Sequence, residues 1–415
     1  MMTVRDGGGG APSAPVRQDS QRLILQRLRR LGEASRADLA RDAALTHTAV
    51  GQIVKQLERA GLVRSLGRKH QGQRGQPATL LTLDPRGAYA IGVRLDRARI
   101  ETALTDLSGA VLAHRTHDRS LPPPEEALDL VRADVEEFVR AVPAARRRRI
   151  AGIGVARPYN LGAWLAVLDL PHEIFSAWDG FDFAGELERV SGLPAAEEND
   201  GTAAAIAELF HGHGRGADDF LYVFIGLAIG GGMVLGGQAV HGSTGNAADI
   251  GVIPVPPSRL PSAPQPRDGH EILLGRASIA TLLRHLRYRG EPPTSLTAPQ
   301  RTRAVEEWLE DCAAALVEPL VTARALLDAP LAIIDSDLPA GLIDTLLARL
   351  APRLTAATAE ARTPPALLRG SFGAMAGALG AATLPLFLHY GPGAGKIGAA
   401  PRDVRSQGGA HVLVA

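Results

Sequence analysis

Hydrophobic positions near the start of the chain recur at helical spacing in three consecutive segments. The segments cover residues 21–31, 35–42 and 46–60, and Gly32 and Gly61 follow the first and the third as left-handed terminators. The apolar positions on their inner faces are Ile24, Leu28, Leu31, Val50, Ile53, Val54 and Leu57. Three short helices separated by tight turns predict a helix-turn-helix unit.

The polar residues at the helix starts support this assignment. Ser35 and Asp38 have the spacing of a capping box, in which each side chain accepts a hydrogen bond from the other residue's backbone N–H. Thr46 is placed to cap the third helix. We therefore expect the second helix to begin just after Ser35 and the third just after Thr46.

A β-hairpin is predicted after the third helix. Residues 62–64 are followed by a loop at 67–77 that is rich in glycine and basic residues, and then by an alternating strand at 78–83. Helix-turn-helix followed by a basic hairpin is the pattern of a winged DNA-binding unit, whose third helix enters the major groove and whose wing contacts the backbone. The candidate DNA-binding residues are Arg36, Thr46, His47, Thr48, Gln52, Lys55, Arg68, Lys69 and Arg74.

The chain is almost neutral overall, but its charges are unevenly distributed. Residues 1–87 carry 15 Lys and Arg against 7 Asp and Glu, whereas the remainder carries 30 against 37, which gives +8 followed by −7. Such asymmetry is expected of a DNA-binding unit joined to an acidic body. An ordinary solvated basic face would give the same totals, so the charge alone leaves both interpretations open.

Two further observations limit the class of protein. Cys312 is the single cysteine, which excludes an intramolecular disulfide. The first 20 residues lack the apolar core of a signal peptide. We therefore expect a cytoplasmic protein. The uncharged stretch 220–240 contains six glycines and predicts two strands joined by a glycine turn rather than a membrane helix.

Four segments together resemble the ROK family (repressors, open reading frames and kinases), in particular its regulator branch. They are the wing and first strand at 72–93, GIGVARP at 152–158, SGLPAAEENDGTAAAIAE at 191–208, and the glycine-rich stretch 226–251. The resemblance implies a two-lobed α/β domain like those of actin and hexokinase, in which Asp200 matches the catalytic base of the kinases and Asn199 and Asp249 match sugar-binding positions. These three residues are the candidate ligand-binding residues.

The same resemblance indicates that phosphoryl transfer has been lost. The family's first phosphate loop reads approximately Asp-Ile-Gly-Gly-Thr-Lys, whereas this chain has RLDRAR at residues 94–99, without either glycine. The adenosine-site glycine pair is matched by Asp335 and Ser336. The family's zinc histidine is matched by Val252, and the Pro-rich stretch 254–266 that follows has no cysteine. We therefore expect no catalytic residue, no metal and no cofactor, with Asp200 as a vestigial base position.

The predicted organisation is a disordered arm at 1–19, a winged helix-turn-helix at 20–84, a ROK ligand-sensing and oligomerisation domain at 88–385, and a flexible tail at 386–415. The predicted function is a homodimeric or homotetrameric transcriptional regulator, specifically a repressor of carbohydrate-related genes. Its partners would be a double-stranded DNA operator and a small effector, such as a sugar or sugar derivative, with no membrane. Two alternatives stay open: an active sugar kinase with a DNA-binding appendage, and a DNA-binding oligomer that senses no ligand.

Overall fold

The computed structural model describes residues 14–69, 78–163, 165–168, 170, 175–264, 269–291, 301–360 and 363–391. The N-terminal unit, Ala14–Leu83, contains the three predicted helices and a three-stranded antiparallel sheet of order β1-β3-β2. Its elements are α1 (Ala14–Leu31), β1 (Ala34–Ser35), α2 (Arg36–Asp42), α3 (His47–Ala60), β2 (Val63–Lys69) and β3 (Ala78–Leu83).

The caps form as predicted. Ser35 Oγ accepts from the backbone N–H of Asp38 at 3.1 Å, and Asp38 Oδ2 accepts from the backbone N–H of Ser35 at 3.1 Å. Thr46 Oγ1 accepts from the backbone N–H of Ala49 at 3.2 Å, and Gly61 ends α3 in the left-handed conformation at φ 72°. These hydrogen bonds satisfy amides that a helix start otherwise leaves without a partner.

Two boundaries and the burial of one residue differ from the sequence expectation. Helix α1 begins at Ala14, so the arm predicted as disordered at 1–19 overlaps its first turns. Strand β2 continues through Lys69, so Gly67, Arg68 and Lys69 belong to a strand and not to the wing loop. Leu31, predicted to be buried, is 47% exposed because it is the last residue of α1, beyond the reach of the core that covers Ile24, Leu25 and Leu28.

The first lobe of the body is a five-stranded sheet of order β6-β5-β4-β7-β8. Its strands are β4 (Tyr89–Asp96), β5 (Arg99–Asp106), β6 (Val111–His117), β7 (Ile150–Arg157) and β8 (Ala195–Asn199). Strands β4, β7 and β8 run parallel, whereas β5 and β6 pair in antiparallel fashion beside β4. The helices of this lobe are α4 (Pro124–Ala141), α5 (Leu165–Leu168) and α6 (Phe183–Ser191).

The second lobe repeats this plan with a sheet of order β11-β10-β9-β14-β15. Its strands are β9 (Phe220–Ile225), β10 (Ile229–Leu235), β11 (Gln238–Ala239), β14 (Leu331–Ser336) and β15 (Ala366–Arg369), with a separate pair β12 (Pro254–Val255) and β13 (Glu271–Ile272). Its helices are α7 (Asp200–Phe210), α8 (Ile279–Tyr288), α9 (Arg303–Leu327) and α10 (Ala340–Thr358). Strands β9 and β10 confirm the predicted pair of strands in the uncharged stretch.

Helices α7 and α11 (Ala376–Tyr390) pack against each other between the two sheets. Close approach requires glycine at the contacts. A Cβ at Gly154 of β7 would lie 1.9 Å from the carbonyl oxygen of Ala381, and one at Gly232 of β10 would lie 2.4 Å from that of Gly201. The predicted fold class, a winged helix-turn-helix followed by a two-lobed α/β domain, is confirmed. Helix α11 continues to Tyr390, into the predicted tail, and residues 392–415 lie outside the described residues.

No helix in the described part of the chain combines the length and the apolar character that a bilayer crossing requires.

Candidate functional site

The candidate DNA-contacting residues of α3 share one solvent-exposed surface. Val50, Val54 and Leu57 are buried on the inner side of α3. The outer positions Thr46, His47, Thr48, Gln52 and Lys55 are all exposed. Arg36, at the start of α2, is also exposed. Its Nη2 lies 3.7 Å from Oε2 of Glu58 in α3. Among the described residues, none covers the outer side of the first turn of α3, so this side is accessible to a groove.

The predicted wing is described only in part. Arg68 and Lys69 are the last residues of β2, paired with Thr79 and Ala78 of β3. Arg74 lies outside the described residues.

A cleft between the two lobes holds a cavity of about 280 Å³. The three predicted ligand residues Asn199, Asp200 and Asp249 all line it. Asn199 caps α7, since its Oδ1 accepts from the backbone N–H of Gly201 at 3.0 Å and of Thr202 at 3.2 Å. Asp249 Oδ2 accepts from Nδ2 of Asn246 at 3.0 Å. Burial raises the pKa of Asp200, while the positive charge of Arg94 acts in the opposite direction.

A contact next to Asn199 involves a residue that was not predicted from the sequence, His241. His241 Nδ1 lies 2.7 Å from Oε2 of Glu198, whose Oε1 accepts from the backbone N–H of Asn199 at 2.8 Å. The contact with Glu198 raises the pKa of His241. No spacing in the sequence relates His241 to β8, so the contact appears only in the folded chain.

The segment that matches the family's first phosphate loop forms a tight hairpin between β4 and β5, with Asp96 paired to Arg99. At its centre is the buried guanidinium of Arg94. Nη1 of Arg94 lies 2.9 Å from Glu101 Oε2 and 3.3 Å from Asp337 Oδ1, and Nη2 lies 3.4 Å from Asp96 Oδ2. These three carboxylates raise the pKa of Arg94 against the effect of burial. Both terminal nitrogens of the arginine that replaces the loop's carboxylate therefore face protein carboxylates, whereas its Nε is buried without a hydrogen-bond partner among the described residues.

The neighbouring Arg97 is also hydrogen-bonded to protein groups. Its guanidinium donates to the carbonyl oxygens of Leu161 at 3.0 Å, Asn160 at 2.9 Å and Ala163 at 3.3 Å, and its backbone N–H donates to Asp96 Oδ1 at 2.7 Å. Both arginines that line the cleft thus already donate to protein groups.

The second phosphate loop keeps its glycines, and the structure gives a packing reason for them. Gly226 donates to the carbonyl oxygen of Ala228 at 3.0 Å in the turn between β9 and β10. A Cβ at Gly231 would meet the carbonyl oxygen of Ala248 at 2.7 Å. Glycine is therefore needed here for the fold whether or not a phosphate binds.

Asp335 fills the position matched to the adenosine-site glycines. Its carboxylate accepts from the backbone N–H groups of Ser336, Phe372 and Gly373 at 3.0, 3.3 and 2.9 Å. Gly370 lies so close that a Cβ there would be 2.1 Å from the Asp335 carboxyl carbon. Burial raises the pKa of Asp335 to about 7. The side chain thus replaces the open space that the resemblance assigns to a nucleoside.

The region matched to the family's zinc site is held by hydrogen bonds. Ser258 Oγ donates to Asp311 Oδ2 at 2.9 Å, and Ser262 Oγ lies 2.9 Å from Nδ1 of His285. Within the described ranges, no group of three or more His, Cys, Asp or Glu side chains is arranged to hold a metal ion. These polar contacts pin the loop that follows β12.

Two histidines lie in the connection between α7 and β9, and they differ in exposure. His213 is exposed, but His211 is partly buried, its Nε2 has no hydrogen-bond partner among the described residues, and its ring packs edge-on against Phe210 at 4.9 Å. Burial lowers the pKa of His211 to about 3.

Comparison with known proteins places these features in context. The sequence model of the ROK family matches residues 90–386. The chain is 28% identical over 384 residues to "Uncharacterized protein y4fQ" of Sinorhizobium fredii, covering 92% of this chain and 94% of that one. It is 26% identical over 249 residues to "DNA-binding transcriptional repressor Mlc" of Escherichia coli K12, an alignment that covers 58% of this chain and 59% of the relative's length.

A solved structure has the same fold over nearly the whole chain. The crystal structure titled as a ROK family transcriptional regulator, homolog of the E. coli MLC protein, superposes with a TM-score of 0.63 at 23% identity and covers 91% of this chain and 98% of that chain. At this level of identity the similarity establishes the fold alone.

Proposed function

This chain belongs to the ROK family, and we propose that it is a DNA-binding transcriptional regulator whose kinase-like body senses a small molecule without phosphorylating it. The observation that carries the proposal is the N-terminal unit, in which a capped third helix presents its polar side, with His47, Thr48 and Gln52, to solvent. That exposed first turn has the shape and chemistry for base edges in a major groove.

The basic residues supply the nonspecific part of binding. Lys55, Arg68, Lys69 and Arg74 would neutralise phosphates beside the groove, with Arg36 and Thr46 at the helix starts close to the backbone. Because one recognition helix reads only a few base pairs, we propose a homodimer or homotetramer that places two N-terminal units on the half-sites of a near-palindromic operator.

The cleft supports sensing rather than catalysis. Asn199, Asp200 and Asp249 would bind the hydroxyl groups of a sugar or sugar derivative. The ion pairs of Arg94 with Glu101 and Asp337 occupy the hairpin that should cradle phosphates. We therefore propose that nucleotide binding and phosphoryl transfer are absent, and that the named relative's repressor function extends to this chain for a carbohydrate-related set of genes.

One observation favours a second function, because Asp200 still lines the cleft where a kinase would need a general base. A coupled assay separates the two functions, using ATP with D-glucose, D-xylose and N-acetylglucosamine and a ROK glucokinase as the positive control. Regulator function predicts no turnover, whereas turnover that Asp200→Asn abolishes would establish the kinase.

The direct test of regulator function is selection of duplexes from a random DNA library by the full-length protein. The expected result is enrichment of a near-palindromic site at moderate salt. Failure to retain any duplex above the level of an unrelated acidic protein would refute it.

A further inference from the structure

Helix α7 connects the cleft to the N-terminal unit. Asn199 and Asp200 at its start line the cavity. Phe210 at its end lies beneath α1, where the guanidinium carbon of Arg29 is 3.6 Å from the centre of the phenylalanine ring. A single rigid helix thus has one end in the ligand cavity and the other against the N-terminal unit.

Helix α11 makes the same connection by a different route. Gly377 in its first turn lines the cavity, where an added Cβ would lie 2.2 Å from Cδ of Arg94. At its other end, Arg22 of α1 donates to the carbonyl oxygens of Leu388 at 3.2 Å and His389 at 3.3 Å. The last carbonyls of a helix lack intrahelical partners and carry partial negative charge, which suits an arginine. Arg29 adds a weaker contact to the carbonyl oxygen of Tyr390 at 3.5 Å.

The two helices are packed so closely that one cannot slide without the other. A Cβ at Gly380 of α11 would lie 2.8 Å from the backbone of Ala203 in α7. Near the other end, the rings of Phe210 and Phe387 meet edge to face at 5.9 Å. Close-packed interfaces of this kind move between discrete arrangements rather than deforming continuously.

The contact at Arg29 is only partly satisfied. Arg29 is 5% exposed, and its Nε and Nη2 are buried without a hydrogen-bond partner among the described residues. Burial lowers the pKa of Arg29. A buried guanidinium with unmet donors offsets part of the stabilisation that its ring contact provides. The docking of α1 therefore carries an electrostatic cost at Arg29, and a shift of Phe210 or Tyr390 would change that cost.

We propose that Arg22 and Arg29 are positioning residues that couple the cleft to the N-terminal unit, because they bind the ends of the two helices, α7 and α11, that begin in the cavity. Occupation of the cavity shifts these helices, and the arginines convert the shift into a change in the position of α1. The inference rests on the proposed function for its biological meaning, but the contacts themselves can be tested without DNA.

The test is a double-mutant cycle read by hydrogen exchange of the α1 amides in the full-length protein. Gly377→Ala perturbs the cavity end of α11. Asp200→Asn perturbs the cavity end of α7 without changing side-chain volume, and it serves as the test if Gly377→Ala does not fold. Each is combined with Arg22→Ala/Arg29→Ala. Each cleft substitution alone should raise α1 exchange by about fivefold or more, the lower bound of a typical coupling. In the Arg22→Ala/Arg29→Ala background, the same cleft substitution should cause no further change in the exchange of the α1 amides.

Two controls separate coupling from general loosening. Asp218→Asn removes the ion pair with Arg30 of α1, which touches neither helix end; in this background the cleft substitutions should keep their effect. Gly275→Ala introduces a comparable clash, with Glu271 Oε1 at 2.6 Å, away from both helices and should leave α1 exchange unchanged.

Three results would overturn the proposal: no response of α1 to either cleft substitution, an undiminished response after removal of both arginines, or an equal response to Gly275→Ala. A protein that shows the expected coupling but binds no DNA would refute the proposed function and leave the coupling intact.

Discussion

Arg94 and Glu101 face each other across the β4–β5 hairpin, with Nη1 of the arginine 2.9 Å from Oε2 of the glutamate and both side chains buried. Burial raises the pKa of Glu101, and Arg94 opposes this effect. The pair, together with Asp96 and Asp337, turns a segment that should bind phosphate into a closed network of internal charges.

Removing the central cation should be severely destabilising. In Arg94→Met, three buried carboxylates lose an ion-pair partner, and we expect the free energy of unfolding to fall by about 3 to 5 kcal/mol. Urea unfolding followed by circular dichroism measures it. The matched control is Arg132→Met on the exposed face of α4, whose ion pair with Glu136 is on the surface and should contribute no more than about 1 kcal/mol. Equal losses for both variants would contradict the central position of Arg94.

Stability should fall as pH rises through the range in which Asp335 ionises. Its pKa is 3.8 in an ordinary environment and about 7 in the folded protein, so the native state binds this proton more tightly than the unfolded chain. The contribution is full below about pH 4 and is lost progressively up to about pH 7, with a slope of up to about 1.4 kcal/mol per pH unit. Asp335→Asn should remove this component from the pH profile of chemical unfolding, whereas Asp129→Asn at an exposed site should not. Parallel profiles for wild type and Asp335→Asn would contradict a raised pKa of Asp335 in the folded protein.

The cleft should prefer neutral sugars to their phosphate esters. Asp96, Asp200 and Asp249 line the cavity, and the two arginines there are held by protein groups. A phosphate would enter beside three carboxylates, and the guanidinium groups near it already donate to protein groups. Thermal-shift measurements on matched pairs, such as glucose and glucose 6-phosphate, should show the larger increase in Tm for the neutral member. ATP should cause no shift. A phosphate ester that stabilises more than its parent sugar would count against this account.

Two classes of substitution in the N-terminal unit should differ in their effect on DNA binding. Replacing Arg68, Lys69 and Arg74 by glutamine should weaken binding to all duplexes and reduce the salt slope by about 1 per lost phosphate contact. Gln52→Ala should instead weaken binding to the selected site by about 1 to 3 kcal/mol and change base preference. Gln56→Ala is the matched control, since Gln56 is also exposed on α3 but is hydrogen-bonded to Gln21 at 2.8 Å. The division fails if Gln52→Ala and the basic substitutions have the same effect on random and selected DNA.

The N-terminal unit could be predicted from the sequence because its determinants are local. Helical spacing, the Ser35 and Thr46 caps and the glycines after the first and third helices all act within a few residues. The start of α1 at Ala14 was not foreseen, since residues 14–20 have no apolar stripe that distinguishes a helix from an extended arm.

For the cleft, the sequence predicted which residues line it but not all of the contacts that they make. The matched motifs identified Asn199, Asp200 and Asp249, and they marked Arg94 as a departure from the family pattern. The partner Asp337 was not predictable, because it is 243 positions from Arg94 and follows β14 of the other lobe. The contact of Arg29 with Phe210 is hidden for the same reason, because a basic residue on a surface helix gives no sign of the ring it will cover.

The central claim, that the N-terminal unit binds DNA, is tested most directly by titrating the full-length protein onto a selected duplex at two salt concentrations. Between about 50 mM and about 200 mM salt, a dimer that neutralises six or more phosphates should lose affinity by about a thousandfold or more. Absence of binding at the lower concentration, or an affinity that does not change with salt, would contradict the account.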